Sequence, residues 1–164
     1  MPPPMEIGPP ASVEAPTPAR AGGRRGAAVV LILIGLASAV YNAWDLALLI
    51  EDLEIFDLAG VGWVGIALLA IDGVLIVSGL LQLIGGARIL ATRYAGGGLG
   101  MAGSVGTVLA WVAFLVVAVS ADLLGGVSVP AWVMLLISVS GSVLAGGLLL
   151  VGREPLAPPG PEAA

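Results

Sequence analysis

Residues 58–87, LAGVGWVGIALLAIDGVLIVSGLLQLIGGA, form a thirty-residue stretch in which Asp72 carries the sole charge. A run this long and this apolar exceeds the needs of a core helix. It fits a membrane-spanning helix, which takes about 20 apolar residues. A carboxylate at the bilayer centre costs roughly 2.5–3.5 kcal/mol on insertion scales, so Asp72 is the residue that any functional reading has to explain.

Three further apolar runs repeat the pattern. Gly26–Trp44 holds nineteen uncharged residues, Ala95–Ala121 twenty-seven, and Val129–Val151 carries no charge. The reading is an all-α integral membrane protein of four transmembrane helices, at about 26–44, 61–84, 99–121 and 129–151, packed as a small bundle across residues 26–152. Composition agrees: 59% of residues are hydrophobic, 10% are charged, and the mean hydropathy is +1.09. A soluble domain carries about 25% charged residues, and this chain lacks the polar side chains to cover one.

Residues 1–25 and 153–164 are rich in Pro, Ala and Gly and poor in large apolar residues. They read as disordered tails, unable to bury enough surface to offset their ordering entropy. Residues 45–57, DLALLIEDLEIFD, carry five acids. Leu46, Leu49, Ile50, Leu53 and Phe56 fall at helical spacing, so the segment either continues helix 1 or lies along the interface. The reading chosen is a solvated acidic loop, since the acids lack the spacing and Gly of a calcium loop. A signal-peptide reading of helix 1, with Ala37-Ser38-Ala39 as its cleavage site, competes weakly with the spanning one.

Charge sets the expected threading. Arg20, Arg24, Arg25, Arg88, Arg93 and Arg153 fall on one side of a four-span path, and Trp44, Trp63 and Trp132 on the other. The positive-inside rule then puts both termini in the cytoplasm of a cell membrane, with the tryptophans at the outer interface. Arginine without lysine, together with abundant Ala, Gly and Pro, suggests a bacterial origin. Six basic residues against eleven acids give no surface for nucleic acid.

Cysteine and histidine are absent. That excludes disulfides, thiol redox chemistry, histidine-ligated metals and haem, and a Ser-His-Asp constellation. No catalytic, cofactor-binding or metal-binding residues are assigned, and no enzyme is expected. The candidate polar site is Asp72 with Ser38, Trp111, Ser140 and Gln82, taken to lie within reach of the carboxyl near mid-membrane. No basic side chain is at hand there, so desolvation favours the neutral acid. A hydroxyl partner would make it a bundle-locking hydrogen bond.

Small residues recur at four-residue spacing: Gly35-Ala39-Ala43, Ala102-Gly106-Ala110 and Ser138-Ser142-Gly146. Such faces let helix backbones approach closely in lipid, either within the bundle or against another copy or a membrane-protein partner. In span number and buried carboxylate the chain is similar in outline to small multidrug transporters and to rotary ATPase ring subunits. It lacks the first-helix Glu of the former and the Arg-Gln-Pro loop of the latter, so the likeness stops at architecture. The function read from the sequence is a structural or accessory membrane protein acting through a partner. The alternative is a subunit of an oligomeric transporter or channel that uses Asp72 for a proton or cation.

Overall fold

In the computed structural model, residues 18–58, 60–92 and 96–151 are described. They form four helices, α1 (Pro18–Leu58), α2 (Gly62–Thr92), α3 (Gly97–Ser120) and α4 (Val129–Val151), with one 3-10 turn at Leu124–Gly126. All four are long and apolar enough to cross a membrane, and among the described residues the fold is all-helical. The two tails assigned to 1–25 and 153–164 lie outside the described residues except for 18–25.

Helix α4 has the expected bounds, and α2 and α3 differ from expectation at their ends. Helix α1 is the correction. It runs 41 residues, taking in 18–25 from the expected tail and 45–57 from the expected acidic loop. Proline is well tolerated at a helix start because its missing N–H would be unpaired there anyway. Residues 45–58 contain neither Gly nor Pro, and Leu, Ala and Glu are strong helix formers. The helix stops only at Gly60, whose φ of 73° supplies the left-handed turn. Gly60 N–H donates to Asp57 O and Val61 N–H to Phe56 O, both at 3.0 Å, which is a Schellman closure. Asp122, at φ 54°, ends α3 in the same way, with Leu123 N–H donating to Ala118 O at 2.8 Å.

Each helix packs against its chain neighbour, and α4 closes the ring against α1. Water exclusion cannot drive this packing in lipid, so close van der Waals approach must. Glycines provide it. A Cβ on Gly79 would lie 2.8 Å from the Gly35 carbonyl oxygen, and one on Gly86 would lie 2.6 Å from that of Ala28. Gly85 abuts Gly100, Gly103 abuts Ser78, and Gly141 abuts Ile34. Ser138, Ser142 and Gly146 face inward on α4, whereas Ala43 and Ala102 are exposed.

A methyl group added at Gly73 or Gly147 would meet nothing within 4 Å. Gly73→Ala and Gly147→Ala are therefore expected to leave thermal stability unchanged or raise it, by up to about 1 kcal/mol from helix propensity. A melt of the purified protein in detergent checks this. Gly141 is tightly enclosed while Gly73 is open, and likewise Gly79 is enclosed while Gly147 is open. Each of these pairs is separated by 68 residues, a spacing that hints at a tandem two-helix repeat, yet the members of a pair do not share surroundings.

The interior has three layers. At the arginine end, Ala27, Ala28, Leu31, Ile89, Ala145 and Leu149 form an apolar cluster. Toward the tryptophan end, Ile71, Leu75, Ala110 and Trp111 form another. Between and beside them lie the buried polar residues.

Candidate intramembrane polar site

Asp72 faces the bundle and is 7% exposed. Its depth follows from the contacts. Ser140 is near the middle of α4, Gly141 abuts Ile34, and Gly35 abuts Gly79. Asp72 is seven residues from Gly79, which is about 10 Å toward the tryptophan end at 1.5 Å per residue. The carboxyl thus sits about two turns nearer the tryptophan end than the Gly35–Gly79 contact.

Among the described residues Asp72 has no hydrogen-bond partner. Asp45 and Tyr41 of α1 are within electrostatic reach of it, and the Tyr41 side chain lies near that of Ser128. Helix α1 also brings Asn42 to the same level: Asn42 is seven residues from Gly35, as Asp72 is from Gly79. Asn42 is 1% exposed, inside the bundle and not at the interface as its sequence position suggests. Its amide donates to the Ser38 carbonyl at 2.6 Å and to Ser38 Oγ at 3.1 Å. Ser38 is therefore engaged with its own helix and does not receive a bond from Asp72.

Gln82 is ten residues from Asp72 on the same helix, about 15 Å along it, and does not serve the carboxyl. Its Nε2 donates to Thr107 Oγ1 at 3.2 Å and to Ser142 Oγ at 2.9 Å, tying α2 to α3 and α4. Trp111 is buried edge-on against Phe114, with ring centroids 5.4 Å apart and planes at 82°. Ser140 is exposed on the outside of the bundle, a second correction. At about 100° per residue, Ser140 points away from the face that buries Ser138 and Ser142.

No family model, curated protein or solved structure matches this chain. Its site has to be read from its own atoms.

Thr107, Ser142, Asn42 and Ser138 are polar core residues that sequence reasoning missed as site members. The small-residue spacing that pairs Ser138 with Ser142 was the available signal for two of them. Four buried polar atoms find no partner among the described residues: Gln82 Oε1, Trp111 Nε1, Ser138 Oγ and Ser104 Oγ. Ser104 also borders a lipid-facing groove of about 270 Å³ between α3 and α4.

Gln82→Leu removes two interhelical hydrogen bonds of the kind that average about 0.6 kcal/mol in membranes. The expected loss is about 1 kcal/mol, read as a lowered melting temperature. Gln82→Glu, which removes the amide donor and introduces an acid, is expected to cost more.

Proposed function

We propose that this chain is a small subunit of a membrane assembly in which Asp72 binds a proton or a small cation, as in a transporter or channel. The observation that carries the reading is a buried carboxyl with no hydrogen-bond partner among the described residues and no basic side chain near it. Arg88, the described arginine of α2, is sixteen residues away, about 24 Å along the helix. An intramembrane acid without a structural partner marks an ion or proton path by default. A hydrogen-bonded lock would have used Ser38 or Gln82, and both bond elsewhere.

Infrared difference spectroscopy of the Asp72 carboxyl, with Asp72→Asn as the blank, tests the proposal. A carboxyl band that titrates near neutral pH and exchanges with D2O is the expected result. A band that stays silent across that range sinks it. Proton or cation flux into liposomes, lost in Asp72→Asn, is the functional counterpart.

The second reading is an accessory protein that stabilises or positions a partner. The glycine-tight seams favour it, because they build a rigid body from four helices. It expects Asp72→Asn to leave solute movement at zero in both forms while changing abundance or assembly.

For location we propose the bacterial cytoplasmic membrane with both termini cytoplasmic. Arg24, Arg25 and Arg88 at one end of the bundle, and exposed Trp44 and Trp63 at the other, support this orientation. The chain has no cysteine, so single cysteines can be placed without background. Ser128→Cys is expected to react with an impermeant maleimide on intact cells, and Gly97→Cys only after lysis. The opposite pattern would invert the topology.

A further inference from the structure

We propose that the polar residues between α1, α2 and α4 form one hydrated seam, entered from the tryptophan end and closed at the arginine end. It rests on the reading of Asp72 only for what it serves, namely delivery of water-borne protons or small cations to that carboxyl.

The seam is assembled from levels set by the glycine contacts. Tyr41 and Asp45 are half-buried at its mouth, beside Ser128 at the start of α4. Asp72 and Asn42 come next at one level, as their equal offsets from Gly79 and Gly35 require. Ser38 lies one turn deeper on α1. Ser138 is brought to a similar depth, since Gly141 of α4 abuts Ile34 of α1. Below them the Gln82 amide reaches Ser142, one turn past Ser138. Past that point the cluster of Leu31, Ile89, Ala145 and Leu149 fills the interior with apolar groups.

Buried polar atoms in native proteins are almost always paired, with protein or with ordered water. Ser138 is fully buried, as is Gln82, yet Ser138 Oγ and Gln82 Oε1 find no protein partner among the described residues. Trp111 Nε1 is a further unpaired donor in the outer half. Internal water bridges such groups where several polar atoms converge. A dry interior would leave the Ser138 and Gln82 oxygens unpaired within one bundle, each at the full cost of its desolvation. The apolar cluster at the arginine end has no such atoms, so the water column stops there.

Silver ion tests the seam. It is small, does not cross lipid as the free ion, and reacts with thiolate, which forms only in contact with water. Ser138→Cys and Ser38→Cys change little in volume, and Ser140→Cys is the lipid-facing control. In oriented proteoliposomes, silver added on the tryptophan side is expected to block maleimide labelling, carried out afterwards on the denatured protein, of Ser138→Cys and Ser38→Cys at least tenfold faster than that of Ser140→Cys. Rates equal to the control, or blocking only from the arginine side, overturn the seam. The readout is separate from the carboxyl. Reactive cysteines beside a silent Asp72 keep the seam and remove the transport reading, whereas unreactive cysteines beside a titrating Asp72 remove the seam alone.

Discussion

Gly79→Leu is expected to break the α1–α2 contact and leave little folded protein. Even a methyl at Gly79 would stand 2.8 Å from the Gly35 carbonyl oxygen and 3.1 Å from Ala39 N. Both are backbone atoms, which cannot rotate aside as a side chain can. A branched four-carbon side chain forces the helix axes apart along the whole seam. Overpacking typically costs about 1–3 kcal/mol, and more where the backbone must move. Here the axis separation also loosens the Gly86–Ala28 contact on the same interface, so the top of that range or beyond is expected. Gly73→Leu is the matched control, since Gly73 meets nothing within 4 Å. Size-exclusion profiles and tryptophan-fluorescence melts in detergent should show Gly73→Leu close to wild type and Gly79→Leu aggregated or melting far lower. Equal behaviour of the two would mean that α1 and α2 do not meet at Gly35 and Gly79.

Asp72→Leu is expected to do the opposite and stabilise the bundle. Leucine has the same number of side-chain heavy atoms as aspartate and brings no polar group to desolvate. A buried polar group without a partner costs about 1–3 kcal/mol in protein mutational data. Asp72 is 7% exposed and has no protein partner among the described residues, so part of that cost remains even with water of the proposed seam at the carboxyl. A gain at the low end of that range, about 1 kcal/mol, follows, seen as a higher melting temperature, with Asp72→Asn gaining less because the amide stays polar. Loss of activity alongside this gain would mark a residue kept for function against stability. A clear drop in stability for Asp72→Leu would instead reveal a structural partner for the carboxyl and favour the accessory role.

Span number and span position were readable from apolar run length, because a bilayer demands about 20 consecutive apolar residues and little else does. The acidic end of α1 was not. Acids after a span suggest a wet loop, yet Leu53 and Phe56 pack onto Gly65 of α2, and that contact has no local signature. Gly60 was a visible stop signal, and it marked the helix end better than the acids did.

The polar residue types of the site were readable in the sequence, but their facing was not. Counting residues selected Ser140, while the four-residue spacing of Ser138, Ser142 and Gly146 was the signal in α4 for the inward face. A soluble helix declares its buried face by contrast with a polar one. A helix apolar all round, as a bilayer requires, gives up that contrast. Gln82 could be recognised as unusual, but its bonds to Thr107 and Ser142 depend on how α3 and α4 are rotated.

The length of α1 has a mechanical consequence. Its 41 residues make a rod of about 60 Å, twice the hydrocarbon thickness of about 30 Å. Arg25 and Asp45 are twenty residues apart, about 30 Å along the rod, so the charges on either side match the two faces of the hydrocarbon slab. Sliding the rod either way by one turn would drag an arginine or an acid into the oil. Helix α2 has no such pair of stops, but it is locked to α1 through Gly35 and Gly79. The height at which Asp72 rides in the bilayer is therefore regulated by anchors on a neighbouring helix, and moving those anchors would raise or sink the carboxyl without touching it.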